Sequence, residues 1–155
     1  MAVPRNNFAL YLDTSALLKL FIEEDNSAHV RTLAHGRAGA VVLFVSRLGY
    51  TEASVSLARM VHLGRIHAAD LPGHLGTLEK YWEDSVQEID ISEEILRDAR
   101  HLAQRFPLRT YDAIHLASAR EANRMMGSFD GEVRFLAFDA NLVQAAKTLG
   151  FVIPR

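Results

Sequence analysis

The chain carries 155 residues, 49% hydrophobic and 23% charged, which is the composition of one globular domain over 1–155 and excludes a disordered, collagen-like or fibrous chain. Seventeen Lys and Arg against nineteen Asp and Glu leave a formal charge of -2, so a uniformly basic nucleic-acid or membrane binder is excluded. With no cysteine, disulfide scaffolds, thiolate zinc sites and cysteine nucleophiles are excluded, and any metal must bind oxygen or imidazole. Asp13 and Lys19 interrupt the apolar opening stretch, and nothing approaches the ~18 apolar residues of a membrane span. A cytoplasmic protein in a reducing compartment is expected.

Phe8 to Leu12 is a short apolar run between Asn7 and Asp13 and reads as a buried strand. Thr14 and Ser15 are competent caps for a helix carrying Leu17, Leu18, Phe21 and Ile22 on one stripe, and a second helical stretch, Ala28 to His35, ends near Gly36 and Gly39. Ala40 to Val45 is an unbroken apolar run, the pattern of a parallel strand covered on both faces. Ser46 then caps a helix reaching about His62 and stopped at Gly64, and a more irregular helical region, Ala68 to Glu83, carries Pro72, Gly73 and Gly76. Val86 to Ile91 is a third strand, and Ser92, Glu93 and Glu94 open a helix that ends at Phe106 before Pro107. A helix from Thr110 to about Met126 follows, then the turn cluster Gly127, Ser128, Asp130, Gly131. Val133 to Phe138 is a fourth strand, Ala140 to Leu149 a last helix, and Phe151 to Ile153 a fifth strand. Strands alternating with helices predict an α/β fold with a central, mainly parallel sheet and helices on both faces.

In such a sheet ligands bind beyond the carboxyl ends of the strands. Asp13 follows the first strand directly and Asp139 follows the fourth, so both carboxylates belong at one rim. Helix capping accounts for either Asp taken alone. Two further acids lie inside helices: Glu52 shares a stripe with Leu48, Val55 and Leu63, and Asp112 shares one with Leu116 and Ala119. Each has an ordinary reading as an early-turn acid favoured by the helix dipole. Together, Asp13, Glu52, Asp112 and Asp139 are four acids at strand ends or helix starts, 39, 60 and 27 positions apart. If they converge, their repulsion calls for a cation, and Mg²⁺ or Mn²⁺ suits an all-oxygen site.

At these residues the sequence resembles the PIN-domain family, and within it the VapC-type toxins of toxin-antitoxin pairs. YLDTSALLKLFIEE at 11–24 is similar to the family's first motif, SRLGYTEASVSLAR at 46–59 to its second, LRTYDAIHLASA at 108–119 to its most specific one, and FLAFDANLVQAAKTLGF at 135–151 to its last. The resemblance implies a three-layer α/β/α fold with about five strands and a metal-dependent endoribonuclease. It assigns Asp13 and Asp112 as principal Mg²⁺ or Mn²⁺ ligands, Glu52 and Asp139 as ligands directly or through water, and Ser15 as a supporting hydroxyl. It also implies an RNA substrate, a VapB-like antitoxin that blocks the acidic pocket, and a homodimer. PIN domains also serve in RNA maturation, so the toxin role and a processing role both stay open.

A polyanionic substrate needs positive charge around that pocket. Arg supplies most of it, fourteen residues against three Lys, with Arg47, Arg59 and Arg109 nearest the acidic motifs. His115, three residues after Asp112, is expected to be packed or hydrogen-bonded. Tyr11, Tyr50 and Tyr111 are candidates for base stacking, with core packing favoured, and Leu17, Leu18, Phe21 and Ile22 for an antitoxin groove, with a core stripe favoured. Two other classes compete. A haloacid-dehalogenase-like phosphatase also places an Asp after its first strand but needs a second acid where Ser15 stands, and a non-cutting RNA- or protein-binding module would have no use for four intact acids.

Overall fold

Strand β1 (Phe8–Leu12) is the axis of the computed structural model, which describes residues 8–35, 41–129 and 131–154. From it the chain runs through α1 (Thr14–Leu18), α2 (Ser27–His35), β2 (Leu43–Ser46), α3 (Arg47–His62), α4 (Leu71–Ser85), β3 (Val86–Ile89), α5 (Glu93–Arg105), α6 (Thr110–Gly127), β4 (Glu132–Leu136) and α7 (Ala140–Thr148). The four strands form one sheet in the order β3-β2-β1-β4, every pair parallel. Leu10 stands opposite Leu43 on one side and Arg134 on the other, and Leu43 stands opposite Val86.

Because side chains alternate along a strand, β1 divides the core in two. Ala9 and Tyr11 enter one layer with Phe44, Phe135, Leu102, Leu116 and Leu142, under α5, α6 and α7. Leu10 and Leu12 enter the other with Leu17, Val30, Leu57 and Leu78, under α1 to α4. Both faces are thus covered, which is why β1 and β2 read as unbroken apolar runs. The chain steps outward from β1 to β2 to β3 and then returns to place β4 on the far side of β1. That reversal opens a crevice beyond the carboxyl ends of β1 and β4.

The predicted elements appear with several differences, among them β3 ending at Ile89 and β4 at Leu136, each two residues short of its expected end. α1 stops at Leu18, and Phe21 lies beyond it in a turn closed by Phe21 N–H to Leu18 O at 3.0 Å. Leu17 and Leu18 are core residues, and half-buried Phe21 and Ile22 pack against the same cluster, the core stripe that the sequence favoured over a groove. β2 begins at Leu43, and Ala40, Gly36 and Gly39 lie outside the described residues, as does Asp130 of the turn cluster. The region around Pro72 is a regular fifteen-residue helix, because Pro in the first turn gives up an N–H that has no intrahelical acceptor anyway. The fifth strand reduces to one parallel bridge, Arg134 with Val152, and Pro154, lacking an N–H, gives it no further donor. Among the described residues no helix is long and apolar enough to cross a membrane.

Candidate active site

Asp13 leaves β1 directly, and its backbone N–H donates to Leu136 O at 3.1 Å, tying it to the end of β4. It caps α1, Oδ1 accepting from Ala16 N–H at 2.9 Å. Asp139, three residues past β4, caps α7 in the same way, Oδ1 accepting from Leu142 N–H at 2.9 Å. Capping is therefore real at both positions, and both residues lie past the carboxyl ends of β1 and β4, where the strand order reverses. Ser15 Oγ lies 2.7 Å from Asp13 Oδ1 and 3.0 Å from Oδ2, its single proton shared across the carboxylate.

Asp112 stands in the first turn of α6. Burial pushes its carboxyl above the usual range, and the Asp139 carboxylate pushes it further. Asp13 is raised too, first by burial and last by Asp112, with His115 as the main opposing influence. Charge thus couples Asp13 to Asp112 and Asp112 to Asp139. Among the described residues no three Asp, Glu or His side chains close around a single point as a ready-made ion cage. The donor set still fits Mg²⁺ or Mn²⁺, since both are met by oxygen ligands and Mg²⁺ keeps several waters and needs only one or two carboxylates.

Glu52 sits differently from the sequence reading. Its supposed stripe partners Val55 and Leu63 are exposed, and α3 buries Gly49, Ala53, Leu57 and Met60 instead. Glu52 is at the edge of that face, and the side chain reaches its partners across the top of the sheet. Oε1 accepts from Thr14 Oγ1 at 3.0 Å and lies 2.6 Å from His115 Nε2. His115 Nδ1 lies 2.9 Å from Tyr11 Oη. Burial pushes the Tyr11 phenol well above its ordinary value, and the Glu52 carboxylate, which only accepts, takes its bond from His115 Nε2–H. His115 is packed and hydrogen-bonded, as expected. What sequence reasoning missed is its partner: Tyr11 and Thr14 flank Asp13 in the first motif, and that adjacency is the signal that pointed here.

Around the acids, Arg109 is exposed at the N-cap of α6, and its charge offsets a little of the rise of the Asp112 carboxyl. Arg47 is instead paired with Glu88 at 2.8 Å and Asp90 at 3.0 Å. Arg59 lies seven residues past Glu52, about 10 Å further along the helix axis. Tyr11 is fully buried and stacked on Phe135, and Tyr50 packs edge-on against Trp82. Tyr111 is 55% exposed beside Asp112, and Phe138 is 38% exposed beside Asp139. The Lys19 ammonium sits 4.7 Å from the Phe138 ring centroid and 3.2 Å from Glu24. A concavity of about 690 Å³ between the end of β3, α5 and α6, lined by Asp90, Asp98, Arg120 and Arg124 among others, contains none of the four acids.

These features coincide with relatives. The PIN domain model matches residues 10–147, and the chain belongs to the PIN-domain family. It is 28% identical to ribonuclease VapC47 of Mycobacterium tuberculosis over 144 residues, covering 92% of this chain and 93% of that one. Against ribonuclease VapC46 of the same species it is 30% identical over 145 residues, 94% and 95% of the two chains, and against VapC45 32% over 113 residues, 71% and 74%. Among solved structures, VapC20 of M. tuberculosis, a sarcin-ricin loop cleaving toxin, superposes with a TM-score of 0.65 at 17% identity, covering 95% of this chain and 99% of that one. PAE2754 from Pyrobaculum aerophilum superposes with a TM-score of 0.59 at 24% identity, covering 95% and 84%. Both share the α/β layering and parallel sheet.

Proposed function

We propose that the protein is a VapC-type toxin ribonuclease that cuts RNA phosphodiester bonds at the Asp13, Glu52, Asp112 and Asp139 site with Mg²⁺ or Mn²⁺, and is held in check by a VapB-like antitoxin in the cytoplasm, as a homodimer. The observation that carries this reading is the coupling of Asp13, Asp112 and Asp139 at the sheet's switch point, in a chain with named ribonuclease relatives along more than nine-tenths of its length. Asp13 and Asp112 would hold the ion, with Glu52 and Asp139 completing its surroundings directly or through water. A divalent ion there supplies an acidified water and neutralises charge on the phosphate.

The chain's own groups do the rest. Ser15 and the Ala16 N–H fix the Asp13 carboxylate in one orientation. Arg109 offers a guanidinium to the incoming backbone, and such contacts set register without reading sequence. Arg47 has less to offer, because Glu88 and Asp90 already engage it. Ser15 clamping both oxygens of Asp13 also disfavours a nucleophilic Asp of the phosphatase kind. The test incubates wild type and Asp13→Asn with total RNA and Mg²⁺ or Mn²⁺, with and without chelator, and maps the ends. Cleavage by wild type alone, abolished by chelator, is expected; equal cleavage by both proteins, or cleavage in chelator, overturns the reading.

A further inference from the structure

We infer that His115 is a positioning residue for the acidic site: together with Thr14 it holds Glu52 by one carboxylate oxygen, so that the other is presented to the divalent ion. The inference rests on the proposal above that the acids bind such an ion.

The geometry is that of a tether through the middle of the fold. Tyr11 comes from β1, Thr14 from α1, Glu52 from α3 and His115 from α6, and the imidazole bridges them, 2.9 Å from Tyr11 Oη and 2.6 Å from Glu52 Oε1. The protons balance. Nε2–H and Thr14 O–H both donate to Oε1, so the 3.2 Å approach of Thr14 Oγ1 to Nε2 needs no proton of its own, and Tyr11 Oη closes the far end at Nδ1. Oε1 is thereby saturated, while Oε2 has no hydrogen bond among the described residues, on a side chain 21% exposed. His115 itself is 2% exposed, so its ring is held by packing and has no competing water.

The same elements carry three of the acids. Asp13 lies between Tyr11 and Thr14, and Asp112 lies one helical turn before His115. The imidazole and Thr14 therefore tie Glu52 of α3 to the β1–α1 junction that carries Asp13. Close approach of α3 is built in. A Cβ on Gly49, one turn before Glu52, would lie 2.6 Å from Val45 Cγ1 and 3.6 Å from His115 Cε1. Hydrogen-bond partners of this kind, orienting the groups that touch an ion, commonly change metal affinity 10- to 100-fold when removed.

A buried polar cluster that only stabilised the fold would behave differently, because cutting either end of it would then cost stability and nothing more. The experiment measures Mn²⁺ binding to the full chain by titration calorimetry, with melting temperature in parallel and no RNA present. His115→Leu is expected to weaken Mn²⁺ about 10- to 100-fold. His115→Gln, whose amide can donate to Oε1, should recover most of that loss. Tyr11→Phe, which cuts only the far end, should lower the melting temperature and leave Mn²⁺ affinity near wild type. Thr14→Val removes the second donor and should weaken Mn²⁺ in the same direction, deciding the matter if His115→Leu does not fold. Unchanged affinity in a folded His115→Leu or in Thr14→Val, no recovery with Gln, or a loss in Tyr11→Phe equal to that in His115→Leu overturns the inference. A folded wild type that binds no Mn²⁺ overturns the metal proposal itself, and the tether with it.

Discussion

Asp13→Asn keeps the shape and the cap of the native side chain while removing its charge. Asn and Asp are equivalent N-caps, and an amide oxygen can take over the 2.9 Å bond from Ala16 N–H, so capping contributes nothing to the difference. Asp13→Ala loses the cap, about 1 kcal/mol, or roughly 2–4 °C in Tm for a chain of this length. The charge acts in the opposite sense. Burial raises the folded-state carboxyl above its ordinary 3.8, so the folded state binds more protons than the unfolded state, and stability falls as pH rises through the interval from 3.8 to that raised value. In chelator at pH 7, Asp13→Asn should therefore melt above wild type, and the gap should close as pH is lowered toward and below 4. Mn²⁺ should reverse the order. At 100 times Kd, binding adds about 2.7 kcal/mol, about 5–11 °C for wild type and far less for Asp13→Asn. Scanning calorimetry from pH 3.5 to 8 in chelator, repeated with Mn²⁺, reads all of this. An Asp13→Asn protein that melts below wild type in chelator at pH 7, a gap indifferent to pH, or equal gains from Mn²⁺ would refute the reasoning.

Gly73→Ala and Gly76→Ala, which meet nothing within 4 Å on an exposed helix, should each add about 1 kcal/mol of stability in chemical denaturation. Gly49→Ala, where the new Cβ would meet Val45 at 2.6 Å, should offset that gain with about 1–3 kcal/mol of overpacking and also weaken Mn²⁺ binding. Arg109→Ala should raise KM for RNA, leave kcat nearly unchanged, and reduce the slope of log affinity against log salt by about 0.7 in a filter-binding series with single-stranded RNA. Arg47→Ala, cut from half-buried Glu88 and exposed Asp90 by removal of an exposed guanidinium, should change stability by less than about 1 kcal/mol and RNA affinity less than Arg109→Ala does.

Much of this molecule is written in local pattern. The apolar run at β1, Ser46 and Ser92 as caps, and the period of α5 and α6 each depend on neighbours within a turn or two, so they are legible one residue at a time. The placement of Asp13 and Asp139 was legible for a related reason: an Asp that follows a strand and opens a helix lands at the rim of a parallel sheet whatever the details of packing. The fifth strand failed because pairing depends on a partner remote in sequence: Phe151 to Ile153 has strand-like residues but only Arg134 to bridge with Val152.

Side-chain direction was the other limit. Helical spacing placed Glu52 with Val55 and Leu63, yet those two face solvent, because which face of α3 turns inward is set by Gly49 and Ala53 packing onto β2 and α1. Composition alone excluded thiolate chemistry and required oxygen or imidazole for any metal, and motif order alone fixed the family resemblance. The tertiary structure alone decided that His115 spends both ring nitrogens inside the protein, and that Arg47 answers to Glu88 and Asp90 rather than to the crevice. Those are choices between partners 41 to 104 residues away, and no local pattern carries them.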